Sequence, residues 1–280
     1  MIEQIISFIG AIIISIMWLY ENIGKENREW SEFIGIIIPI IIILANLIMY
    51  LKKNIKLLFI YIKYKRLRVS MAYLFKIKIK DKYLLVGNSN AKFYQFPGGK
   101  YKVYESSKNA LESFGKSDDD LLPEKKDREN DIAFNINPLK FHNFIEWFDS
   151  GKDREIEHNR EFIEELIRPN SFPIEIFQDL NFRKINLIRT PLHYTYVKGK
   201  SRYEFLSFDF LEPQFTTEQE NFFKELYEKG NSDYIKWVTE EEIRALVYTE
   251  NNQSYSEKEK EYNIGPHTLW CIDGKYSKRR

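Results

Sequence analysis

Two long stretches near the start of the chain, Gln4–Tyr20 and Phe33–Leu51, carry no charge and are rich in isoleucine. Each approaches the roughly 20 residues with which a helix crosses a hydrocarbon core. They predict two transmembrane helices within residues 1–51. Two buried core helices are the alternative, but both runs are apolar on every side and a water-soluble pattern follows them. Pro39 predicts a kink in the second run. Trp18, Tyr20, Trp30 and Tyr50 lie near the run ends, where amphipathic rings favour the headgroup region. The start, Met1-Ile2-Glu3-Gln4, lacks the basic region of a cleaved signal peptide.

Between the runs, residues 21–32 hold four glutamates against Lys25 and Arg28. After the second run come Lys52, Lys53, Lys56, Lys63, Lys65, Arg66 and Arg68 with no acid among them. That asymmetry predicts an outside connector and cytoplasmic N- and C-termini. Residues 52–69 also carry Ile55, Leu58, Phe59, Ile62 and Leu67. They read as a basic amphipathic helix held against anionic headgroups, or as a rigid stalk.

From Ser70 the period changes. Lys76, Lys78 and Lys80 alternate with Phe75, Ile77 and Ile79, a turn falls at Asp81, and Tyr83–Val86 runs on, so Ser70–Gly87 predicts a β-hairpin. Phe93–Phe96 is a further strand, ending in Pro97-Gly98-Gly99-Lys100, where glycines let backbone approach a ligand or helix end closely. Lys116–Asp131 is charged and poor in apolar residues and reads as a surface excursion. Pro138–Phe148 and Asp153–Ile167 predict helices separated by Gly151, with His142 and Trp147 as core or rim residues. Phe182–Val197 and Tyr203–Phe210 predict a second hairpin turning at Lys198–Ser201. A helix follows over Thr216–Lys229, with Thr217 as its cap and Gly230 as its stop, then a short strand at Tyr234–Val238. Thr239 and Glu242 form a capping box for another helix, and Asn251–Lys260 is polar and exposed.

The fold class is therefore α+β, an α/β/α sandwich with a mixed sheet, preceded by the two-helix hairpin. Its boundaries are 1–51, 52–69 and 70–280, with an insertion at about 101–150. A formal net charge of +1 argues against a surface that coats a DNA or RNA polymer. The single cysteine, Cys271, excludes an internal disulfide framework and reads as a small core residue. Four histidines and one cysteine make no zinc site, and no Ser/His/Asp or Cys/His nucleophile set stands out.

The concentrated chemistry lies in Arg160-Glu161-Phe162-Ile163-Glu164-Glu165-Leu166. On an α-helix Glu161, Glu164 and Glu165 share one face, and such hard oxygen ligands suit Mg²⁺ or Mn²⁺. A solvated, glutamate-rich surface helix is the plainer reading of the heptapeptide alone. A strand, Pro-Gly-Gly and a helix of this sequence together resemble the Nudix box, and Trp237–Ile243 is similar to the late strand-to-helix entry of such domains. The resemblance covers roughly residues 70–270. It implies that Glu161, Glu164 and Glu165 are metal ligands, catalytic if the protein is an enzyme, with Arg160 bracing the loop beneath them. The departures are specific. Gly99 and Arg160 lie 61 positions apart, far more than in a standard box. The glutamate expected between them has only Glu157 as a candidate, and Ile167 replaces the closing glycine.

The split arrangement, with Trp147-Phe148 and Asp153-Arg154-Glu155 between its halves, is similar to the SMODS-associated Nudix family. These are two-transmembrane effectors of bacterial CBASS anti-phage systems. The resemblance implies a sensor in the bacterial inner membrane for a cyclic oligonucleotide made by a cognate nucleotidyltransferase. Binding would assemble copies in the bilayer and kill the cell, with no cofactor required and Mg²⁺ as the ion a retained metal site would take. Lys100, Arg189, His193 and Tyr194 have the cationic and aromatic chemistry such a ligand needs. His158 is either a neighbour of a metal or exposed. A membrane-anchored, Mg²⁺-dependent Nudix hydrolase of nucleotides is the alternative.

Overall fold

The computed structural model describes residues 28–88, 93–119, 130–197, 199–247 and 262–277. The chain divides into two units, Met1–Phe59 and Ile60–Arg280. The first predicted span, Gln4–Tyr20, and the polar stretch Asn251–Lys260 lie outside the described residues.

The second predicted span falls within one helix, α1 (Arg28–Tyr64), which contains Pro39. Ile38, Ile40, Ile41, Ile43 and Ile48 are all exposed along it. Among the described residues no single helix is long and apolar enough to cross a membrane; Ile38–Tyr50 and Asn54–Tyr64, bent by 56°, meet that description as a pair by length and composition. The predicted amphipathic segment is helical only to Tyr64. Lys65, at φ 60°, ends it, its N–H donating to the carbonyls of Ile60 and Tyr61, each at 3.1 Å. Arg68 does not face a headgroup layer. It lies two residues into a strand and is buried.

In the second unit, the described strands form one six-stranded and one five-stranded sheet. At the centre of the first lies β1 (Leu67–Phe75), buried at every position. A strand covered on both faces reads as a continuous apolar run, which Leu67-Arg68-Val69-Ser70-Met71-Ala72-Tyr73-Leu74-Phe75 nearly is. The predicted hairpin is thereby corrected. The strand β2 (Lys78–Ile79) turns into β3 (Lys82–Asn88) in the second sheet, whereas β1 belongs to the first. The segment then passes through β4 (Phe93–Gln95) to β5 (Gly98–Lys100), which returns to the edge of β1.

The predicted insertion, 101–150, is built into this sheet. It contains α2 (Lys108–Ser113), the strand β6 (Ala133–Ile136) and α3 (Phe141–Ser150). β6 pairs with the first half of β1, on the same edge as β5. Trp147 packs on Phe114 and Phe144, each at 5.8 Å, as a rim residue of α3. The excursion expected at Lys116–Asp131 is anchored at its start, because Ser117 exchanges both backbone bonds with Asn135 and Asp119 is buried; residues 120–129 lie outside the description.

The later chain supplies α4 (Asn159–Phe162), β7 (Asn181–Arg189), β8 (His193–Val197) and β9 (Lys200–Gln214). The expected hairpin joins β8 to β9, and β9 runs parallel to β1 from Arg68↔Glu204 to Phe75↔Leu211. Next come α5 (Thr217–Lys229), β10 (Ile235–Val238), α6 (Glu240–Leu246), β11 (Asn263–Ile264) and α7 (Pro266–Asp273). α5 is capped by Thr216, not Thr217, through a reciprocal pair with Gln219. Thr239 and Glu242 form the predicted capping box of α6.

One core joins the two sheets: Ala72, Leu74, Ile188, Phe208 and Phe210 of the first meet Tyr83, Leu85 and Val238 of the second, with Ile243, Trp270 and Cys271 from α6 and α7. On the other face of the first sheet, Phe75 meets Phe162 and Phe182, and Phe162 also meets Phe177 and Phe223. The observed layers are helix, mixed sheet, then a second sheet with helices. The expected α/β/α sandwich omitted that second sheet.

Candidate functional site

The site begins at β5. Gly98, at φ +151°, lies where a Cβ would come within 2.2 Å of the Tyr73 carbonyl oxygen. At Gly99 a Cβ would fall 2.2 Å from Glu161 Oε2. The glycine pair therefore admits a carboxylate from a residue far along the chain, the close approach a bare Cα permits.

How the two halves meet is explained by the neck of the insertion. Residues 102–104 and 153–155 run antiparallel: Val103 bridges Arg154, Tyr104 N–H donates to the Asp153 carbonyl at 3.0 Å, and Glu155 N–H donates to that of Lys102 at 2.8 Å. The chain leaves the sheet and re-enters beside its exit, which returns Glu161 to Gly99 despite the separation in sequence. This neck corrects the predicted helix start. Asp153 takes φ 58°, and the helix begins at Asn159.

Past Phe162 the helix widens. Ile163–Ile167 forms a π-turn, with Arg168 N–H reaching the Ile163 carbonyl at 2.9 Å. Such single π-turns occur frequently at functional sites. The widening breaks the α-helical register that placed the three glutamates on one face. Glu161 is buried, Glu164 is partly exposed and Glu165 is exposed. The Glu165 carbonyl accepts from the Tyr234 hydroxyl at 3.1 Å.

Arg160 sits among the carboxylates. Its Nε and Nη2 grip Glu155 at 2.8 and 2.9 Å, while Nη1 donates to Glu161 at 2.6 Å and Glu164 at 2.7 Å. Glu155 is the residue sequence reasoning misplaced: Glu157 is exposed, and Glu155 is buried and held bidentately, the strong geometry for this pair. Its signal was its place in the Asp153-Arg154-Glu155 run. Burial raises the Glu161 carboxyl from 4.5 to about 7, with Glu165 and Glu164 adding to the rise and Arg160 opposing it. Burial disfavours the Arg160 charge, but its bonds to Glu155 and Glu161 outweigh that and raise its pKa.

Behind this cluster, strand pairing lines up Gly99, Tyr73, Asp209 and Leu187 across four strands. Tyr101 donates to Asp209 at 2.6 Å, and Lys184 pairs with the other Asp209 oxygen at 2.7 Å. Tyr73 reaches Glu155 at 3.5 Å. His158 is not an exposed residue. It packs edge-on to Tyr73 at 4.7 Å, lies 3.3 Å from the Tyr101 hydroxyl, and burial lowers its pKa.

Of the residues expected to meet a ligand, Lys100 pairs with Ala72 and Arg189 with Ser207. Strand alternation puts them on opposite faces of the sheet. Arg189 is paired with Asp149. His193 lies 3.0 Å from Glu204, in a second charged cluster where Asp119 joins Arg68 at 2.6 Å and Arg202 at 3.0 Å. Tyr194 is exposed and packs against Tyr64 and Tyr203. The structure thus divides these four between two faces.

A divalent ion needs several converging oxygens. Here Glu161 and Glu164 both aim at Arg160, Glu165 points outward, and among the described residues no three His, Cys, Asp or Glu side chains are grouped to hold a metal. In this arrangement the glutamates do not fit the ion. A family model described as the SMODS-associated NUDIX domain matches residues 66–272, more than half of the chain. No curated protein and no solved structure matches it.

Proposed function

This chain belongs to the SMODS-associated NUDIX domain family, and from that premise we propose that it is a membrane effector gated by a cyclic oligonucleotide. The Ile60–Arg280 unit carries a Nudix-type, nucleotide-related effector domain. The observation that carries the sensor reading is the state of its acidic cluster. Gly99 still receives Glu161, so the frame of the site is kept, yet Glu155, Glu161 and Glu164 are all engaged by Arg160. A site that keeps its frame while its carboxylates are engaged by Arg160 is poorly suited to lend three oxygens to a reaction, which favours sensing over hydrolysis.

The ligand of this reading is a cyclic oligonucleotide supplied by a partner nucleotidyltransferase. Lys100, Arg189, His193 and Tyr194 are divided between the two faces of the sheet, so one ligand would meet only those on one face, a cation for phosphate and a ring for a base. No cofactor is required. The exposed isoleucines of α1 and the uncharged run Gln4–Tyr20 support two spans in a bacterial inner membrane with cytoplasmic termini. Two helices are too few to line a pore, so loss of membrane integrity and cell death require many copies. The ligand drives that self-association only by binding the assembled state better than the separate one. Retention of Glu161, Glu164 and Glu165 favours a second reading, a membrane-anchored Mg²⁺-dependent nucleotide hydrolase.

The test is a titration of the full chain in detergent with cyclic di- and trinucleotides, with and without Mg²⁺. Thermal stability reports binding and chromatography reports ligand integrity. The sensor reading expects one intact cyclic nucleotide to raise the Tm with or without Mg²⁺. Mg²⁺-dependent breakdown of a nucleotide would establish the hydrolase instead.

A further inference from the structure

We infer that the β8–β9 hairpin is a second membrane contact: Tyr194 and Tyr196, continuous with Tyr61 and Tyr64 at the end of α1 and flanked by cations, form a surface for anionic lipid headgroups. The inference rests on the membrane part of the proposed reading and adds to it where the domain touches the leaflet.

The surface follows from strand alternation. Tyr194 and Tyr196 are two apart on β8, so they share one face of the hairpin. Their partners across the ladder are Tyr203 and Ser201. Tyr194 rests on Tyr203, with ring centres 5.8 Å apart, but Ser201 is too small to cover Tyr196. Tyr194 is 51% exposed and Tyr196 66%. The second unit begins at Ile60 and so includes the last turn of α1. There Tyr64 packs edge-on against Tyr194 and Tyr203, at 6.4 and 5.2 Å. Tyr61, one turn earlier on the same face of the helix, is 40% exposed. Helix end and hairpin thus present one continuous aromatic surface, and contiguity of this kind marks an interaction site. The opposite face holds the hairpin firm: His193 lies 3.0 Å from Glu204, which also pairs with Arg68 of β1 at 3.4 Å.

Charge decides between occupants. Residues 60–66 and 192–203 hold six Lys or Arg and no Asp or Glu. Arg202 is engaged by Asp119, whereas Lys63, Lys65, Arg66 and Lys200 are exposed. A second copy docking through the same patch would set these cations against themselves, because a two-fold contact repeats one surface on both sides. An anionic leaflet meets them with opposite charge. Tyrosine suits that layer as well, its ring at the acyl boundary and its hydroxyl among the headgroups. The chain also reaches this surface shortly after the uncharged run Phe33–Leu51, so a bilayer holding that run is close at hand. Tyr194 then belongs to the leaflet, which leaves Lys100 and His193, on the opposite face, for a nucleotide.

The experiment places a fluorescent label on the full chain at Ser201→Cys, beside Tyr196 on the hairpin. Cys271 is buried, and burial pushes its thiol up to about 12, so it stays unlabelled. The chain is mixed into vesicles of phosphatidylcholine with or without phosphatidylglycerol, each carrying a headgroup spin label as quencher. Quenching is expected on the phosphatidylglycerol vesicles and should fall about twofold or more on phosphatidylcholine alone. It should fall as far with Tyr194→Ser plus Tyr196→Ser. Because Tyr194 packs on two rings, Tyr196→Ser plus Lys200→Glu is the second variant, and thermal unfolding checks that each folds. Insertion is read separately, by resistance to alkaline extraction. A label that stays unquenched, or is quenched equally on both vesicles or equally in a folded variant, overturns the inference. If the chain resists extraction in that case, the membrane reading stands without it. A chain that alkali removes, but that shows hairpin-dependent quenching on anionic vesicles, keeps the inference and overturns the spanning reading.

Discussion

At the scale of single residues the account turns on Glu161, an acid buried beside a base and against a glycine. Burial raises its carboxyl to about 7, above the value it has in an unfolded chain. The folded state thus holds a proton that the unfolded state releases between about pH 4.5 and 7, and this group's contribution to stability falls as pH rises through that window. His158 works in the opposite sense, because burial depresses its pKa, so the two must be separated by mutation. Glu161→Gln should flatten the fall in stability between pH 5 and 7 by at most about 1.4 kcal/mol per pH unit, measured by denaturant unfolding across pH. An unchanged slope would place the titration elsewhere. Gly99→Ala is the steric counterpart. Its methyl must push the Glu161 carboxylate off Arg160, so we expect a loss of roughly 1–3 kcal/mol in the same assay; a neutral effect would mean the carboxylate has room to spare. The heptapeptide Arg160–Leu166 was legible as a site because its charges are dense and ordered. The role of Glu155 was not, because nothing local distinguishes it from Glu157 until the neck buries one and exposes the other.

At the scale of elements, local signals were read well where the partner is close in sequence. Gly151 in the left-handed region stops α3, the capping box opens α6, and β8 turns directly into β9. Thr239→Ala should cost about 1 kcal/mol. What could not be read was pairing at a distance. β1 carries no mark that its neighbours are β6 and β9, since hydrogen-bond partners leave no period in the strand that receives them. Asp119 shows the same limit. In a tract of charge it looked solvated, yet its side chain is 4% exposed and it joins Arg68 to Arg202. Removing one member of such a buried set strands the others, so Asp119→Ala should destabilise by about 3–5 kcal/mol, measured as a loss of denaturation midpoint. A cost below about 1 kcal/mol would show that water reaches the cluster.

At the scale of the molecule, two observations have to be joined. A helix carrying exposed isoleucines leads into a domain whose acidic cluster is internally satisfied. Neither explains the other, but in the proposed reading a ligand that favours association of the domains would concentrate the helices, and two spans by themselves would not be concentrated. The direct measurement is dye release from anionic liposomes carrying the full chain, as cyclic nucleotides are added in the presence of EDTA. We predict release with one cyclic nucleotide only, rising more steeply than linearly with protein per vesicle, and recovery of that nucleotide intact. Release that is equal without ligand, or that requires Mg²⁺ and consumes the nucleotide, would contradict the account.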